Sequence, residues 1–417
     1  MRAIRFIALI VLLCLTLSGC GTQATPVSTA EPTETPAPTR APAPVETPTP
    51  SSTPEPDVFF LGASFPPNTE EADWSAMGHA DMPEAKIALG QLKNLRQVEL
   101  GEQGDGEDAL LFSDVAELMT LRPDVAFHMG FTLYGDHFST LDEEMDLAFL
   151  DLQGDDTLIR QVLPCMPRCH FVNLDSCNIP DEVMGQLRED FPDKGIVWRV
   201  FFGPPQLRKY YGIRTDAERL LISDGKYALT SDDVKGLQYC TELKYLDIGH
   251  NRIDSIAFVE QMPKLEVAIL GLNTWEDLSP IVHCPEIEYL EIHYTRVKDL
   301  TPLLELKKLE HLNITGDPLI EDFSVLLQLT GLKRLWIGHA NSRIYEYREA
   351  LEATLSDTEI EIDHGEPDTT TIYWRGQSPR YLLLREQMGY NKPFNQIFSY
   401  YYLDPTYRGT HEKEPES

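Results

Sequence analysis

The sequence is short of basic residues and of the motifs that mark most catalytic sites. Lysine and arginine number 35 against 67 aspartates and glutamates, a formal net charge of −32 at pH 7. This balance argues against nucleic acid, whose phosphates must be neutralised by basic side chains, and favours a cationic partner. No Gly-rich phosphate loop, G-x-S-x-G or H-E-x-x-H segment occurs. We therefore expect no enzyme and no bound cofactor or metal.

The amino terminus lacks an apolar run long enough for a transmembrane helix. The run from Phe6 to Leu17 is shorter than the ~20 residues such a helix needs, and it follows Arg2 and Arg5, as in a signal peptide. It ends in Leu-Ser-Gly-Cys20, which resembles the bacterial lipobox. The resemblance implies removal of residues 1–19 and a diacylglycerol on Cys20, and two acyl chains suffice for stable anchoring. An ordinary signal peptide with an incidental cysteine is the alternative.

Large hydrophobic side chains are almost absent from the next segment. Residues 22–57 contain ten of the 30 prolines and are otherwise mostly Thr, Ala, Ser and Glu. Such a segment cannot offset its ordering entropy by burial, so we expect a disordered stalk over residues 20–57. In extended polyproline II form it would reach on the order of 100 Å. A plain flexible tether is the alternative.

The remaining residues contain a repeat of about 22 residues. The run Leu243-Lys-Tyr-Leu-Asp-Ile-Gly-His-Asn-Arg-Ile253 recurs in outline from Leu265, Ile287 and Leu309, and after a 23-residue step from Leu332. This is the leucine-rich-repeat pattern L-x-x-L-x-L-x-x-N/C-x-L. A single unit cannot bury its apolar face, so neighbours must stack. We predict an α/β solenoid, a leucine-rich-repeat horseshoe with a parallel concave sheet and a convex side of helices and 3₁₀ turns.

Degraded copies extend the repeat towards the amino terminus. They begin near residues 95, 147 and 169, and further strands are expected at 125–127, 197–200 and 220–222, which makes ten or eleven rungs. The later repeats, with Asp-Leu-Ser-Pro280 and Asp-Leu-Thr-Pro302, resemble those of internalin-like bacterial proteins. We predict an N-terminal cap at 58–94, the solenoid at 95–342 and a C-terminal cap at 343–417. The cap would hold a helix over 343–355, a last strand at 360–362 and an aromatic tail, for which a second binding site is the alternative.

Asparagine and cysteine occupy fixed places in the repeat. We expect Asn251 and Asn273 to hydrogen-bond backbone groups at the bend after each strand, and Cys177 takes the same position. Cys240 and Cys284 share one repeat position two rungs apart, ~10 Å by strand spacing, too far for a disulfide. The pairing of Cys165 and Cys169 stays open.

Histidines and cysteines do not form a catalytic or metal site in this pattern. Cys169 and His170 are adjacent, so strand alternation directs their side chains to opposite faces. His293 and His311 lie on neighbouring rungs but four positions out of register, about 13 Å along a strand.

Aromatic and charged residues fill the strand positions that point away from the leucines. Folding does not require such residues on a solvated face, so they suggest recognition of a protein or peptide. Alternatively, they support the sheet or are covered by the C-terminal tail. The candidate ligand-binding residues are Tyr245, Asp247, His250, Tyr289, Glu291, His293, Tyr294, His311, Asn313, Arg334 and Trp336.

Together these patterns predict a surface-anchored binding protein. We expect a monomer on the extracellular face of a bacterial membrane, touching the bilayer only through the lipid on Cys20 and binding a protein or peptide on the concave sheet. A solute- or glycan-binding lipoprotein is the alternative, and it would require a deep enclosed cleft rather than an open face.

Overall fold

The computed structural model describes residues 55–203, 212–222, 228–338, 340–363 and 374–375. The predicted signal peptide, Cys20 and nearly all of the predicted stalk lie outside the described residues, and so does the tail except for Trp374 and Arg375. Within these ranges, every helix is too short or too polar to cross a bilayer.

Eighteen strands and six α-helices are described. The strands are β1 Val58–Phe60, β2 Ala63–Phe65, β3 Glu71–Asp73, β4 Gln97–Glu102, β5 Ala126–Leu133, β6 Asp136–Ser139, β7 Glu144–Asp146, β8 Phe171–Asn173, β9 Gly195–Val197, β10 Arg199–Phe201, β11 Gly212–Arg214, β12 Arg219–Leu221, β13 Tyr245–Asp247, β14 Val267–Ile269, β15 Tyr289–Glu291, β16 His311–Asn313, β17 Arg334–Trp336 and β18 Glu359–Glu361. The helices are α1 Met82–Gln91, α2 Phe112–Leu121, α3 Thr157–Val162, α4 Asp181–Asp190, α5 Ser231–Val234 and α6 Ile344–Thr354.

The leucine-rich-repeat fold is clearest in the parallel sheet of seven strands, β12 to β18. Tyr245 pairs with Val267, Val267 with Tyr289, and Tyr289 with His311, so each pairing joins the same position of successive repeats. The middle residue of each strand from β13 to β17, such as Leu246 or Leu290, is completely buried. The 22-residue spacing therefore sets the register, as the sequence predicts.

Helices and 3₁₀ turns form the convex side, as the sequence predicts. Strands β4, β5 and β9 are preceded by α1, α2 and α4, whereas β13–β17 are preceded by 3₁₀ turns such as Ser279–His283 and Thr301–Glu305. Both turns carry proline in their first residues, where its missing N–H costs nothing. Asp277 and Asp299 each accept a hydrogen bond of 2.8 Å from the backbone N–H two residues on, which fixes the start of each turn.

Two antiparallel hairpins interrupt the stack, and the sequence analysis did not predict them. Strands β5 and β6 are joined by Tyr134 and Gly135, both at positive φ, the backbone that a two-residue hairpin turn requires. Strands β10 and β11 form the second hairpin. Parallel strands consequently fall into separate sheets, β3–β5, β7–β9 and β12–β18.

Thirteen strands of the described ranges run parallel to a neighbour, more than the predicted ten or eleven. The additional strands are β3, inside the segment predicted as the N-terminal cap, and β18, which is the last strand predicted at 360–362 within the C-terminal cap. Strand β3 has no leucine and buries only Ala72, so it lacks the repeat pattern. The hairpin β1–β2 precedes it, and Phe60 packs edge-on against Trp74 at 4.7 Å.

Asparagine side chains bind the bends together, which confirms the prediction for Asn251 and Asn273. The Asn273 amide oxygen accepts a hydrogen bond from the N–H of Ile253 (3.0 Å), and its amide nitrogen donates to the carbonyls of Ile248 and Leu270 (both 3.0 Å). Asn251 makes the equivalent bonds one rung earlier. Each amide therefore links the backbones of adjacent rungs at the bend after the strand, a place that lies outside the hydrogen bonds of the sheet.

All five cysteines of the described ranges are buried and carry free thiols. Burial raises the pKa of Cys165, Cys177 and Cys284 to about 12, and it also raises the pKa of Cys169 and of Cys240. A thiol with such a pKa is ionised to only about one part in ten thousand at pH 8, and the thiolate is the reactive form.

We expect these thiols to be inert towards Ellman's reagent while the protein is folded. All five should react after unfolding in urea, and Tyr345→Cys, at an exposed position of α6, should react at once as a positive control. Rapid labelling of any of the five in the native state would contradict the burial seen here.

Candidate binding site on the concave sheet

The concave face is the face of β12–β18 opposite the buried leucines. Its aromatic and charged side chains were expected to face solvent, and for most of them this expectation is wrong. Tyr289, Glu291 and Asn313 are 0% exposed, and Trp336 is 5% exposed. Trp374 and Arg375, from the predicted tail, lie on this face and contact Tyr289, Glu291 and Trp336. The alternative noted above, that the tail covers these residues, thus describes the central strands.

Glu291 lies at the centre of this contact. The Arg375 guanidinium donates to both of its carboxylate oxygens, from Nε to Oε1 at 2.9 Å and from Nη2 to Oε2 at 2.5 Å. Oε1 also accepts hydrogen bonds from the Tyr289 hydroxyl (2.6 Å) and from the Trp374 indole N–H (3.0 Å). A bidentate guanidinium–carboxylate pair is the strongest form of this interaction.

Charge keeps the buried carboxylate ionised. Burial alone would raise the pKa of Glu291, but the positive charge and hydrogen bonds of Arg375, with a smaller contribution from the Tyr289 hydroxyl, hold that pKa down at about 2. The group is therefore an anion at neutral pH. Its charge is compensated chiefly by a residue that lies 84 positions away in sequence.

Aromatic rings and a second arginine enclose the Trp374 indole. Its ring centroid lies 5.8 Å from those of Tyr289 and Trp336 and 6.4 Å from that of His311. The Arg334 guanidinium carbon lies 4.7 Å from the same centroid, within the range of a cation–π contact. We call Tyr289, His311, Arg334 and Trp336 the indole cage.

Arg334 also binds the backbone of the covering segment. Its Nη1 donates to the Trp374 carbonyl at 2.5 Å, and Nε and Nη2 donate to the Glu359 carboxylate at 2.8 and 3.2 Å. Glu359 of β18 therefore orients the guanidinium above the indole. The contact involves the ring of Trp374, its carbonyl and the side chain of the residue that follows it.

Both histidines of this region are neutral. Burial lowers the pKa of His293 and of His311 to about 4. The His293 Nδ1 lies 3.7 Å from Glu291 Oε2, and neither histidine's Nδ1 has a hydrogen-bond partner within the described ranges. The His293 ring fits because the neighbouring rung carries Gly271, where a Cβ would lie 2.6 Å from the ring.

The other candidate residues lie at strand ends, on the surface or at the edge of this cluster. Asp247 and Asn313 accept hydrogen bonds from the backbone N–H two residues on, at 3.0 and 3.1 Å, and so shape the end of each strand. His250 and Tyr294 are exposed and take the left-handed backbone, with φ of 57° and 51°. Tyr245 is half-buried at the edge of the apolar cluster on the concave face.

Arg375 and Glu359 were not among the residues predicted for this site, and Trp374 was predicted only as part of an aromatic tail. One signal was available for Arg375. A glutamate stands at position 291 where the neighbouring rungs have Ile269 and Asn313, and a buried carboxylate needs a cation. Nothing in the repeat pattern indicates which arginine of the chain supplies it.

A cavity of about 240 Å³ lies on the amino-terminal side, beside Met77, Leu100 and Met129. It is smaller than the ~300–1,000 Å³ of typical small-molecule pockets.

Among solved structures, the chain is similar to leucine-rich-repeat proteins of bacteria. An internalin (inlF) of Listeria monocytogenes is 18% identical, with 68% of this chain and 67% of that chain covered and a TM-score of 0.29. Internalin C2 of the same organism is 18% identical over 68% and 93%, with a TM-score of 0.31. A leucine-rich-repeat protein of Leptospira interrogans is 15% identical over 66% and 92%, with a TM-score of 0.30.

No protein-family model and no curated protein sequence matches the chain. The likeness to the solved structures is too distant to say anything about a ligand. The assignment to the leucine-rich-repeat fold accordingly depends on the strand register and the repeat spacing described above.

Proposed function

We propose that this protein binds a protein or peptide partner through the concave face while anchored by lipid to the outer side of a bacterial membrane. The observation that carries the proposal is the docking of Trp374 and Arg375. These two residues are held there by a bidentate ion pair, a cation–π contact and a backbone hydrogen bond. These are the contacts by which one protein recognises another, with arginine and tryptophan as anchors.

Charge supports a cationic partner. The chain carries nearly twice as many acidic as basic residues, and the most deeply buried carboxylate of the concave face already holds a guanidinium. The field of such a protein attracts basic peptides and repels nucleic acid. A binding role, rather than a catalytic one, fits these groups because each of them contacts a neighbour and none is aimed at a reactive centre.

The proposed function is tested with a displayed library of random peptides panned against the full chain. Peptides that bind the wild type should lose about tenfold or more in affinity to the Tyr289→Ala/Trp336→Ala double variant, because both rings line the indole cage. Tyr345→Ala, which removes an exposed ring from α6, is the matched control and should bind as the wild type does. Circular dichroism melting checks that the double variant is folded. Equal binding by all three folded proteins would refute the concave face as the binding surface.

Lipid anchoring is tested by metabolic labelling with a radioactive fatty acid in a bacterial host. We expect label on the wild type and none on Cys20→Ala, since the acyl chains would be attached through that sulfur. Cys14→Ala is the matched control, because it removes a cysteine from the same segment without touching the lipobox, and it should keep the label. Labelling of Cys20→Ala would mean that the segment is not a lipobox.

A further inference from the structure

Asp247 and Asn313, at the same register position as Glu291, accept a hydrogen bond from the backbone N–H two residues on, whereas the Glu291 carboxylate bonds to Arg375, Tyr289 and Trp374. Its neighbours in register are Ile269 and Asn313, and the first of these belongs to the apolar cluster of the concave face. A buried carboxylate without a cation is destabilising by several kcal/mol. The repeat could close with an apolar residue at this position, so the charge indicates a place built for a cationic group.

The neighbouring strands do not supply that cation. Arg334, two strands away on the same face, directs its guanidinium to Glu359, to the Trp374 carbonyl and to the indole ring. His293 lies beside the carboxylate, but burial keeps it neutral by lowering its pKa to about 4. The cation comes from Arg375, which belongs to no rung of the repeat.

The geometry selects arginine and not lysine. Two parallel N–H groups of Arg375 meet the two carboxylate oxygens at 2.9 and 2.5 Å. Lysine presents a single ammonium point charge and cannot match this planar fork. The indole N–H of the preceding residue donates to the same carboxylate, so an aromatic donor and a guanidinium converge on Glu291.

The contact also fixes the order of the two residues. The indole cage holds the ring of Trp374 while Arg334 holds its carbonyl, and the guanidinium of the next residue then falls on Glu291. A peptide with arginine before tryptophan would present the carbonyl and the guanidinium in the wrong sequence along the chain. The face therefore has the specificity of a dipeptide subsite.

We propose that Glu291 and the indole cage form a subsite for a tryptophan followed by arginine, and that Trp374–Arg375 is an internal occupant which an external basic peptide of the same chemistry replaces. This inference rests on the proposed function. Because the occupant belongs to the same chain, its effective concentration is on the order of millimolar or more. An external peptide thus binds the wild type far more weakly than it binds a chain whose subsite is vacant.

The test measures binding of fluorescein-labelled hexapeptides by polarisation. The probe is Gly-Ser-Trp-Arg-Ser-Gly, and the control peptides carry Trp-Lys or Arg-Trp at the centre. The proteins are the full-length wild type, the vacated variant Trp374→Ala/Arg375→Ala, and the vacated variant with Glu291→Gln added.

We expect the vacated variant to bind the probe about tenfold or more tightly than the wild type does, and about tenfold more tightly than it binds either control peptide. Glu291→Gln should abolish the preference.

Equal binding of the three peptides by the vacated variant would overturn the inference. If the vacated variant does not fold, the single variant Arg375→Ala, which leaves Trp374 in place, replaces it. Ethylguanidinium is then added at millimolar concentration to substitute for the missing guanidinium. The melting temperature of Arg375→Ala should rise with ethylguanidinium but not with ethylammonium, and the rise should vanish with Glu291→Gln. An equal effect of the two cations would likewise overturn the inference.

The two proposals fail in different ways. Library peptides that need Tyr289 and Trp336 but show no arginine after an aromatic residue would refute the subsite and leave the proposed function standing. Specific binding of the Trp-Arg probe, with no library peptide sensitive to the cage, would support the subsite and refute its use for an external partner.

Discussion

Glu291→Gln releases Trp374 and Arg375 from the concave face and makes the peptide bond after Arg375 a site for trypsin. The neutral amide leaves the guanidinium buried without a counter-charge, which costs about 3–5 kcal/mol. When Trp374 and Arg375 dissociate from the concave face, the guanidinium is solvated again and this free energy is recovered. The fraction of molecules with the two residues dissociated therefore rises about 100-fold or more. Limited digestion followed by mass spectrometry detects the peptide that ends at Arg375 and gives the rate of its appearance.

The matched control is Glu286→Gln, which makes the same chemical change in an exposed ion pair with Lys308 on the neighbouring rung. Exposed pairs contribute only about 0–1 kcal/mol, so cleavage after Arg375 should keep its wild-type rate. Persistent protection of Arg375 in Glu291→Gln would show that the ion pair does not hold the segment.

Asp317→Asn raises the free energy of unfolding at pH 7 by about 2 kcal/mol, and Asn273→Asp lowers it by a similar amount. Asp317 occupies the position that Asn273 holds two rungs earlier. Its Oδ1 accepts hydrogen bonds from the N–H and hydroxyl of Thr295, but its Oδ2 is buried without a partner in the described part of the chain. An amide there would donate to backbone carbonyls, as that of Asn273 does.

The same change alters how stability depends on pH. Burial raises the pKa of Asp317 well above its usual range, so the folded state holds this proton more tightly than the unfolded state. Relative to Asp317→Asn, the wild type is therefore most stable below the pKa of about 4 that the carboxyl has in the unfolded chain. As the pH rises through the higher pKa of the folded state, the free energy of unfolding of the wild type falls by up to about 1.4 kcal/mol per pH unit. Asn273→Asp should acquire the same dependence.

Urea unfolding of these proteins at pH 4.5 and pH 7.5 measures both effects. The control is Asp105→Asn, at an exposed loop position, which should shift neither the stability nor its pH dependence. If the difference between wild type and Asp317→Asn were the same at both pH values, the carboxyl would not be titrating between folded and unfolded states as argued.

Regular repetition explains which parts of this molecule were predictable. The register of β13–β17, the 3₁₀ turns that contain Pro280 and Pro302, and the bonds of Asn251 and Asn273 each depend on residues recurring at the same position of a rung. The hairpin at Tyr134 and Gly135 has no copy elsewhere in the pattern. Strand β3 carries only one buried residue. Neither the hairpin nor β3 could therefore be predicted from a recurring sequence pattern.

The solvent exposure of the concave face could not be predicted from the alternation of residues along its strands. Alternation along a strand placed Tyr289, Glu291 and Trp336 together on the face away from the leucines, and they do lie together. It could not decide whether that face meets water, because exposure depends on what else in the chain comes to lie on it. Trp374 and Arg375 do so through contacts 83 and 84 residues apart in sequence.

The sequence by itself determined the stacking unit, its period and the side of each strand that its side chains occupy, since these follow from local geometry repeated at a constant interval. Only the tertiary structure decided that a carboxylate at position 291 is buried against a guanidinium and that an indole fills the cage beside it. A buried charge selects its partner by distance and desolvation in three dimensions, and no spacing along the chain encodes that choice.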